Sequence, residues 1–154
     1  MIYDRTQADI DEARELRTKL GRGEALTEDE TAKLEKGTLT LTALNRIESK
    51  QRDIVQKLNA NGYTVSLETK TWAHGDYFYK SDFERWLSNI SRLKSYAPSV
   101  TVDPPEIAEA LTFDGINKVE RILYDTGSAA DRLGSEIDIG LALGLAQVGI
   151  YGGK

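Results

Sequence analysis

The sequence predicts a mainly α-helical protein: a small bundle of about four to five helices, one short extended segment and a non-helical, glycine-rich C-terminal arm. Apolar residues recur at steps of three and four in several stretches, which is the spacing of one helix face. All three prolines fall between positions 98 and 105, outside those stretches. After position 134 glycine recurs every few residues, without helical periodicity. We expect charged helices over 1–37, the bundle core over 38–133 and the arm over 134–154.

The N-terminal region predicts two charged helices. The first covers 5–21, and its narrow apolar stripe consists of Ile10, Ala13, Leu16 and Leu20. A stripe this narrow indicates packing against one partner helix along a single seam. The second helix, about 28–36, begins with the capping box Thr27-x-x-Glu30 and ends at Gly37.

The third helix has the clearest periodicity in the chain. Over 43–61, a heptad seam with one polar member is formed by Leu44, Ile47, Gln51, Ile54 and Leu58. Residues 38–44 alternate and run directly into this pattern, so we expect an extended lead-in. Residues 64–72 alternate as well and predict the short extended segment of the fold.

Two further helices complete the predicted bundle. Ser81-x-x-Glu84 is a second capping box, and the helix that it starts ends before Pro98. Residues 98–105 contain the prolines and predict a stiff linker. The final helix starts after Asp114 and keeps its apolar spacing as far as Leu133.

One pattern occurs twice, as TALNRIE (42–48) and as DGINKVE (114–120). Thr42 and Asp114 are the predicted N-caps, because each precedes the first apolar seam position by two residues. Asn45 and Asn117 then lie in the first turn, where each amide can bond the cap backbone or a partner helix. Two interpretations are open. Two amphipathic helices can simply begin alike, or the two helices lie side by side with their N-termini in related positions and an asparagine fixes their register.

The sequence predicts no catalytic, metal or cofactor site. The chain has no cysteine and a single histidine, His74, so thiolate sites and histidine clusters are excluded. It contains no phosphate-binding glycine loop and no hydrolase or metalloprotease motif. The catalytic alternative is His74 acting as a base that Asp76 orients. A net charge of −5 argues against nucleic-acid binding, and the longest uncharged run, 139–153, is too short and glycine-rich for a membrane span.

Three stretches resemble a family of small tail-region and virion structural proteins from tailed phages and prophages of Gram-positive bacteria. They are GTLTLTALNRIESKQRDIVQKLNANGY, TKTWAHGDYFYKSDFERWLSNISRLK and LTFDGINKVERILYD, and they span roughly 37–133. The resemblance implies a non-enzymatic, tail-associated virion protein, which assembles with itself and with other virion proteins in the host cytoplasm. The glycine-rich C-terminal segment departs from the family pattern. The alternative is a prophage-encoded adaptor or regulator that binds one bacterial protein inside the cell.

Two regions are predicted to contact partners. The first is the aromatic loop, through Trp72, Tyr77 and Tyr79, because tryptophan and tyrosine are enriched at interface hot spots. Its alternatives are that Trp72 covers the end of the bundle, or that the rings stack on sugars. The second is the C-terminal arm, which packs on its own bundle or docks on a neighbouring subunit. Its candidate contacts are Ile139, Leu141, Leu143, Leu145, Val148, Ile150 and Tyr151.

Overall fold

The computed structural model describes residues 1–107 and 112–150, and from 135 to 150 it describes the backbone alone. Its helices are α1 (Gln7–Gly21), α2 (Glu28–Gly37), α3 (Leu41–Ala60), α4 (Lys80–Lys94) and α5 (Phe113–Ile150). The described residues contain no strand, so the predicted mainly helical fold is confirmed.

Helices α1 and α2 form a hairpin, as the narrow stripe of α1 predicts. Ala13 and Leu16 are buried in it. Both helices begin with a complete capping box, which was predicted for Thr27 and Glu30 and is also formed by Thr6 and Asp9. Gly37 allows the close approach, because a Cβ there would clash with the backbone carbonyl of Asp9 and the side chain of Ala13.

Helices α3 and α5 lie side by side and run in the same direction. Arg46 bonds Glu120 (2.9 Å) near the start of both helices, and Lys57 bonds Asp131 (2.7 Å) farther along both. Near the end of α3, Asn61 donates to the carbonyl of Ala130 (3.3 Å). This arrangement confirms that the two helices lie side by side and start at the same end of the bundle. Their asparagines do not join the two helices, because Asn45 bonds the backbone of Trp72 and Asn117 that of Arg5.

Helix α4 runs in that direction too, because Arg85 bonds Glu48 and, one turn later along both helices, Asn89 donates to Gln51 (2.7 Å). Parallel helices oblige the chain to return along the bundle between them. The first return is the central strap, which we define as residues 63–73. It has no helix or strand assignment and runs antiparallel to α3, which confirms the predicted extended segment.

The N-terminal strap, defined as residues 1–6, lies along α5 in a similar way. Tyr3 stacks near Tyr124 of α5, with 5.2 Å between ring centroids. The core fills the space between the parallel helices and the central strap. Its largest fully buried apolar side chains are Trp86, Phe83, Ile47, Ile54, Leu58, Ile90, Leu93, Ile122 and Leu123.

The predicted caps of α3 and α5 need correction. Thr40 caps α3, with its hydroxyl accepting from the N–H of Ala43 (3.2 Å). Thr112 does the same for α5, accepting from Gly115 (3.1 Å). Thr42 and Asp114 therefore lie inside the first turn. The lead-in to α3 contains alternate threonines that can each act as a cap, so the boundary depends on where the preceding chain leaves α2.

Helix α4 shows the same kind of shift. It begins at Lys80 rather than after Ser81, and the carboxylate of Asp82 accepts from the N–H of Tyr79 (3.0 Å). An aspartate two residues nearer the start thus takes the role that was predicted for Glu84. A carboxylate at this position satisfies a backbone donor that would otherwise be unpaired at the helix start.

The C-terminal segment differs from the predicted non-helical arm, because the backbone of α5 continues to Ile150. The predicted boundary at 134 consequently falls inside a helix. Each glycine weakens a helix by about 1 kcal/mol, but alanine and leucine favour it, and a helix satisfies its own backbone donors and acceptors. α5 extends past the point where α3 ends, at the contact between Asn61 and Ala130. Residues 151–154 lie outside the described residues.

Candidate functional site

The repeated asparagines each hold one strap by its backbone. The amide of Asn45 donates to the carbonyl of Trp72 (3.0 Å) and accepts from its N–H (2.9 Å). The amide of Asn117 donates to the carbonyl of Arg5 (2.9 Å) and accepts from its N–H (3.2 Å). Each asparagine therefore pairs with one extended residue as a neighbouring β-strand would.

Glu48, three residues after Asn45, completes the first site, which we call the central clamp. Its buried carboxylate accepts from the indole N–H groups of Trp72 (3.3 Å) and Trp86 (2.8 Å). The guanidinium of Arg85 approaches to 2.6 Å, and the backbone N–H of Lys70 donates at 3.1 Å. The carboxylate joins α3, α4 and the central strap, and its partners offset the cost of burying its charge.

Glu120, three residues after Asn117, completes the second site, the N-terminal clamp. It is fully buried and bonds two guanidinium groups, those of Arg5 (3.1 Å) and Arg46 (2.9 Å). It also accepts from the backbone N–H of Ile2. Arg5 has further acceptors in the carbonyls of Lys36 (2.8 Å) and Ile2. This clamp joins the N-terminal strap to α5, α3 and the end of α2.

Both clamps bind backbone rather than present reactive groups. The lone pairs of each carboxylate are directed at indole, guanidinium and backbone donors, so the chemistry of the arrangement is strap retention. Burial lowers the pKa of Arg85, the hydrogen bond that its guanidinium donates to Glu48 raises it, and the net result is a raised pKa. The central clamp is therefore an ion pair inside the bundle.

Sequence reasoning did not identify these charged residues as a site. Both carboxylates are buried, and Arg46 bonds Glu120. A signal was present, because Glu48 lies four residues after Leu44 and three before Gln51, on the seam face of α3. The strap partners are distant in sequence and leave no local signal.

The aromatic loop divides into a buried and an exposed part. Trp72 is 3% exposed, in the core, so it is corrected from a partner contact to a residue that covers the bundle end. It packs on Phe78 (5.4 Å between ring centroids), which in turn packs on Trp86 (5.0 Å). Tyr77 and Tyr79 are 73% and 61% exposed, with their ring centroids 6.3 Å apart. These two tyrosines remain candidates for a partner surface.

The histidine alternative gains no support from the loop geometry. The carboxylate of Asp76 accepts from the N–H of Ala73 (2.8 Å), and the N–H of Asp76 donates to the carbonyl of Ala73 (3.1 Å). Asp76 thus closes the turn that contains the exposed His74, with Gly75 in the left-handed region at φ 96°. The role of this aspartate is turn formation.

The predicted contacts in the C-terminal segment lie outside the residues whose side chains are described. They are Ile139, Leu141, Leu143, Leu145, Val148 and Ile150, whose backbone belongs to α5, together with Tyr151, which is outside the description altogether. Whether this segment docks in cis or on a neighbour stays a prediction.

Comparisons place these sites in context. No family model, curated protein or solved structure matches the chain. Within residues 1–107 and 112–150, no helix is long and apolar enough to cross a membrane. Over the described part of the chain, no group of three or more histidine, cysteine, aspartate or glutamate residues is placed to hold a metal ion. The interpretation therefore depends on the geometry of the clamps and of the exposed tyrosines.

Proposed function

We propose that the protein is a non-enzymatic structural component of a tailed-phage virion, in its tail region, which acts through assembly with itself and with other virion proteins. One observation supports the proposal: each of the three stretches that resemble phage tail-region proteins contributes side chains to the clamps. The first contributes Asn45 and Glu48, the second contributes Trp72 and Arg85, and the third contributes Glu120. Residues in the stretches that resemble this family thus serve to join the helices and straps of the bundle.

The exposed tyrosines supply a contact surface on that scaffold. Tyr77 and Tyr79 project from a loop that is anchored on both sides, by the buried Trp72 and by the start of α4. Tyrosine offers a large contact area at a low cost in conformational entropy. A rigid bundle with aromatic contacts at one end suits repeated subunits in a particle.

Two measurements test the proposal directly. Mass spectrometry of purified particles, from the phage or induced prophage that encodes the chain, is expected to detect the protein as a virion component. Light scattering after size-exclusion chromatography is expected to show a defined oligomer. Tyr77→Ser/Tyr79→Ser should weaken contacts with the particle, whereas Tyr63→Ser, which removes a tyrosine packed on Tyr96, is the matched control. A monomer that is absent from particles contradicts the proposal.

The alternative is an intracellular adaptor encoded by a prophage. The small size of the tyrosine pair favours it, since two rings suit one compact partner better than an extended lattice. An adaptor is expected to be a monomer or dimer, absent from purified particles and bound to a single bacterial protein. Particle composition therefore separates the two proposals.

A further inference from the structure

A groove opens where the α1–α2 hairpin meets the N-terminal ends of α3 and α5. It consists of two adjoining depressions of about 500 and 410 Å³, which share Ile10, Arg14 and Leu39. Leu20 lines one end and is 45% exposed. Phe113, at the start of α5, lines the other end. The groove therefore offers apolar surface to water on a face formed by separate helices.

The charge of the groove is one-sided. Arg14 and Arg17 line it, and among the described residues no carboxylate does. Arg14 is paired with Asp11 on the adjacent surface (3.0 Å), an exposed pair that is weak and exchangeable. The first turn of α3 contains no acidic residue, so no side chain of that turn neutralises the positive end of the helix. The groove suits an apolar segment that carries negative charge at one end.

The chain contains such a segment. Glu136 and Asp138 precede the uncharged run 139–153, which is rich in leucine, isoleucine and alanine. The segment cannot fill the groove of its own chain while α5 is helical. Ile139 follows Phe113 by 26 residues on the same helix, and at 1.5 Å per residue the two are about 39 Å apart. A second copy must supply the segment.

We propose that the groove binds the C-terminal segment of a second copy, with Arg14 and Arg17 placed at the acidic end of that segment, where Glu136 and Asp138 precede the uncharged run. The contact is head-to-tail, so it uses different surfaces on the two copies and builds a ring or a continuing row of subunits. This inference rests on the proposed function in assembly and names the surfaces that make the contact.

Charge reversal tests the pairing in the full-length chain. Arg14→Glu/Arg17→Glu and, separately, Glu136→Arg/Asp138→Arg are each expected to weaken self-association by roughly tenfold or more, because each places like charges opposite each other. An equimolar mixture of the two variants should recover assembly, since each groove then meets a complementary segment. The quadruple variant keeps the net charge of the native chain and should assemble alone. Sedimentation velocity over a concentration series measures self-association of the two reversed variants, of their mixture and of the quadruple variant.

Controls separate this contact from general effects of charge and folding. Arg92→Glu/Lys94→Glu changes the net charge by the same amount on α4, away from the groove, and should assemble as the native chain does. Circular dichroism should show native helicity for Arg14→Glu/Arg17→Glu, because both arginines are exposed, and it checks the folding of each other variant.

The outcomes also separate this inference from the proposed function. If both reversed variants assemble as well as the native chain, or if the mixture fails to recover assembly, the groove pairing is overturned while assembly through another surface stands. If the native chain is monomeric at every concentration and absent from particles, the proposed function and this inference both fail. Loss of assembly in both reversed variants, recovery in their mixture and in the quadruple variant, and native assembly of the α4 control together support the pairing.

Discussion

The two clamps are built on the same helix motif but surround their buried glutamates with different groups. In both, an asparagine bonds the N–H and carbonyl of one strap residue, and a glutamate three residues later is fully buried. Glu48 is surrounded by two indoles and one arginine, inside the apolar core. Glu120 is surrounded by two arginines. One motif can therefore hold a strap that contributes a tryptophan or a strap that contributes an arginine. The groups around the buried glutamate set the free-energy cost of losing it.

The two clamps also differ in which part of the structure opens when each of them is broken. The central strap lies between α3 and α4, and its Trp72 is part of the core, so this clamp cannot open without exposing the core. The N-terminal strap leads into a hairpin whose helices pack mainly on each other, so it can leave α5 while the three parallel helices stay together. We expect the central clamp to control global stability and the N-terminal clamp to control local opening.

Removing the carboxylate of the central clamp should have the largest effect. Glu48→Ala leaves Arg85 without its closest partner and leaves two indole donors unpaired, so we expect about 4 kcal/mol of destabilisation. Urea unfolding followed by tryptophan fluorescence measures it directly, because the chain contains two tryptophans and both donate to Glu48. Glu84→Ala, on the exposed side of α4, should stay within about 0.5 kcal/mol. Equal effects of the two variants would mean that the clamp is not structural.

Removing the carboxylate of the N-terminal clamp should cost less. Glu120→Ala leaves Arg5 with other acceptors, and Arg46 is partly exposed to water, so we expect about 2 kcal/mol globally. The clearer effect is local: the amides of Ile2 and Arg5 should exchange with solvent much faster while the core amides of α3 stay protected. Hydrogen exchange measures both. Simultaneous loss of protection in strap and core would show that the two clamps open as one unit.

The helices were predictable because their signals are local. Spacing of apolar residues located the starts of five helices to within a few residues, and the repetition of one pattern gave the packing of α3 beside α5 as one of two interpretations. The buried charges depend on residues 22 to 118 positions away, such as Lys70 for Glu48 and Ile2 for Glu120. No local pattern specifies those partners. The C-terminal segment is the opposite case. Its glycines are a local signal against a helix, yet the backbone of α5 continues through them to Ile150.

The asparagines provide a finer test of the comparison. Asn45→Ala and Asn117→Ala each remove two hydrogen bonds and leave a strap N–H and carbonyl unpaired, at an expected cost of about 2 kcal/mol for Asn45 and somewhat less for Asn117. The difference should arise because the N-terminal strap can move into water. Asn45→Asp and Asn117→Asp keep the acceptor oxygen and remove the N–H donor. Each should therefore cost only part of the stability that the corresponding alanine variant loses. Urea titrations of the four variants rank them, and a larger loss at Asn117 would reverse the comparison.

A smaller effect tests the corrected helix starts. Thr40→Ala and Thr112→Ala should each cost about 1 kcal/mol, because each hydroxyl accepts from an otherwise unpaired backbone N–H. Thr42→Ala, two residues inside α3, should change stability by less than about 0.5 kcal/mol. Thermal unfolding distinguishes these outcomes. A larger loss from Thr42→Ala than from Thr40→Ala would restore the boundary that the sequence predicts.

The smallest expected effect concerns pH at the junction of the N-terminal strap and α1. Hydrogen bonds from the Thr6 hydroxyl and backbone N–H, with a further contribution from Lys36, hold the pKa of Asp9 below its ordinary value of 3.8. A depressed pKa means that the unfolded chain takes up the proton first, so the contribution of Asp9 is complete above its ordinary pKa and is lost as the pH falls through its lower folded value. Asp9→Asn should therefore exchange amide protons in α1 faster than the native chain at about pH 6, and this difference should shrink as the pH falls below the ordinary pKa of Asp9. Tryptophan fluorescence from the central clamp should be the same in both proteins at about pH 6. A difference in exchange that does not shrink at low pH would show that the role of Asp9 does not depend on its charge, and a fluorescence change would show that the start of α1 acts on the central clamp.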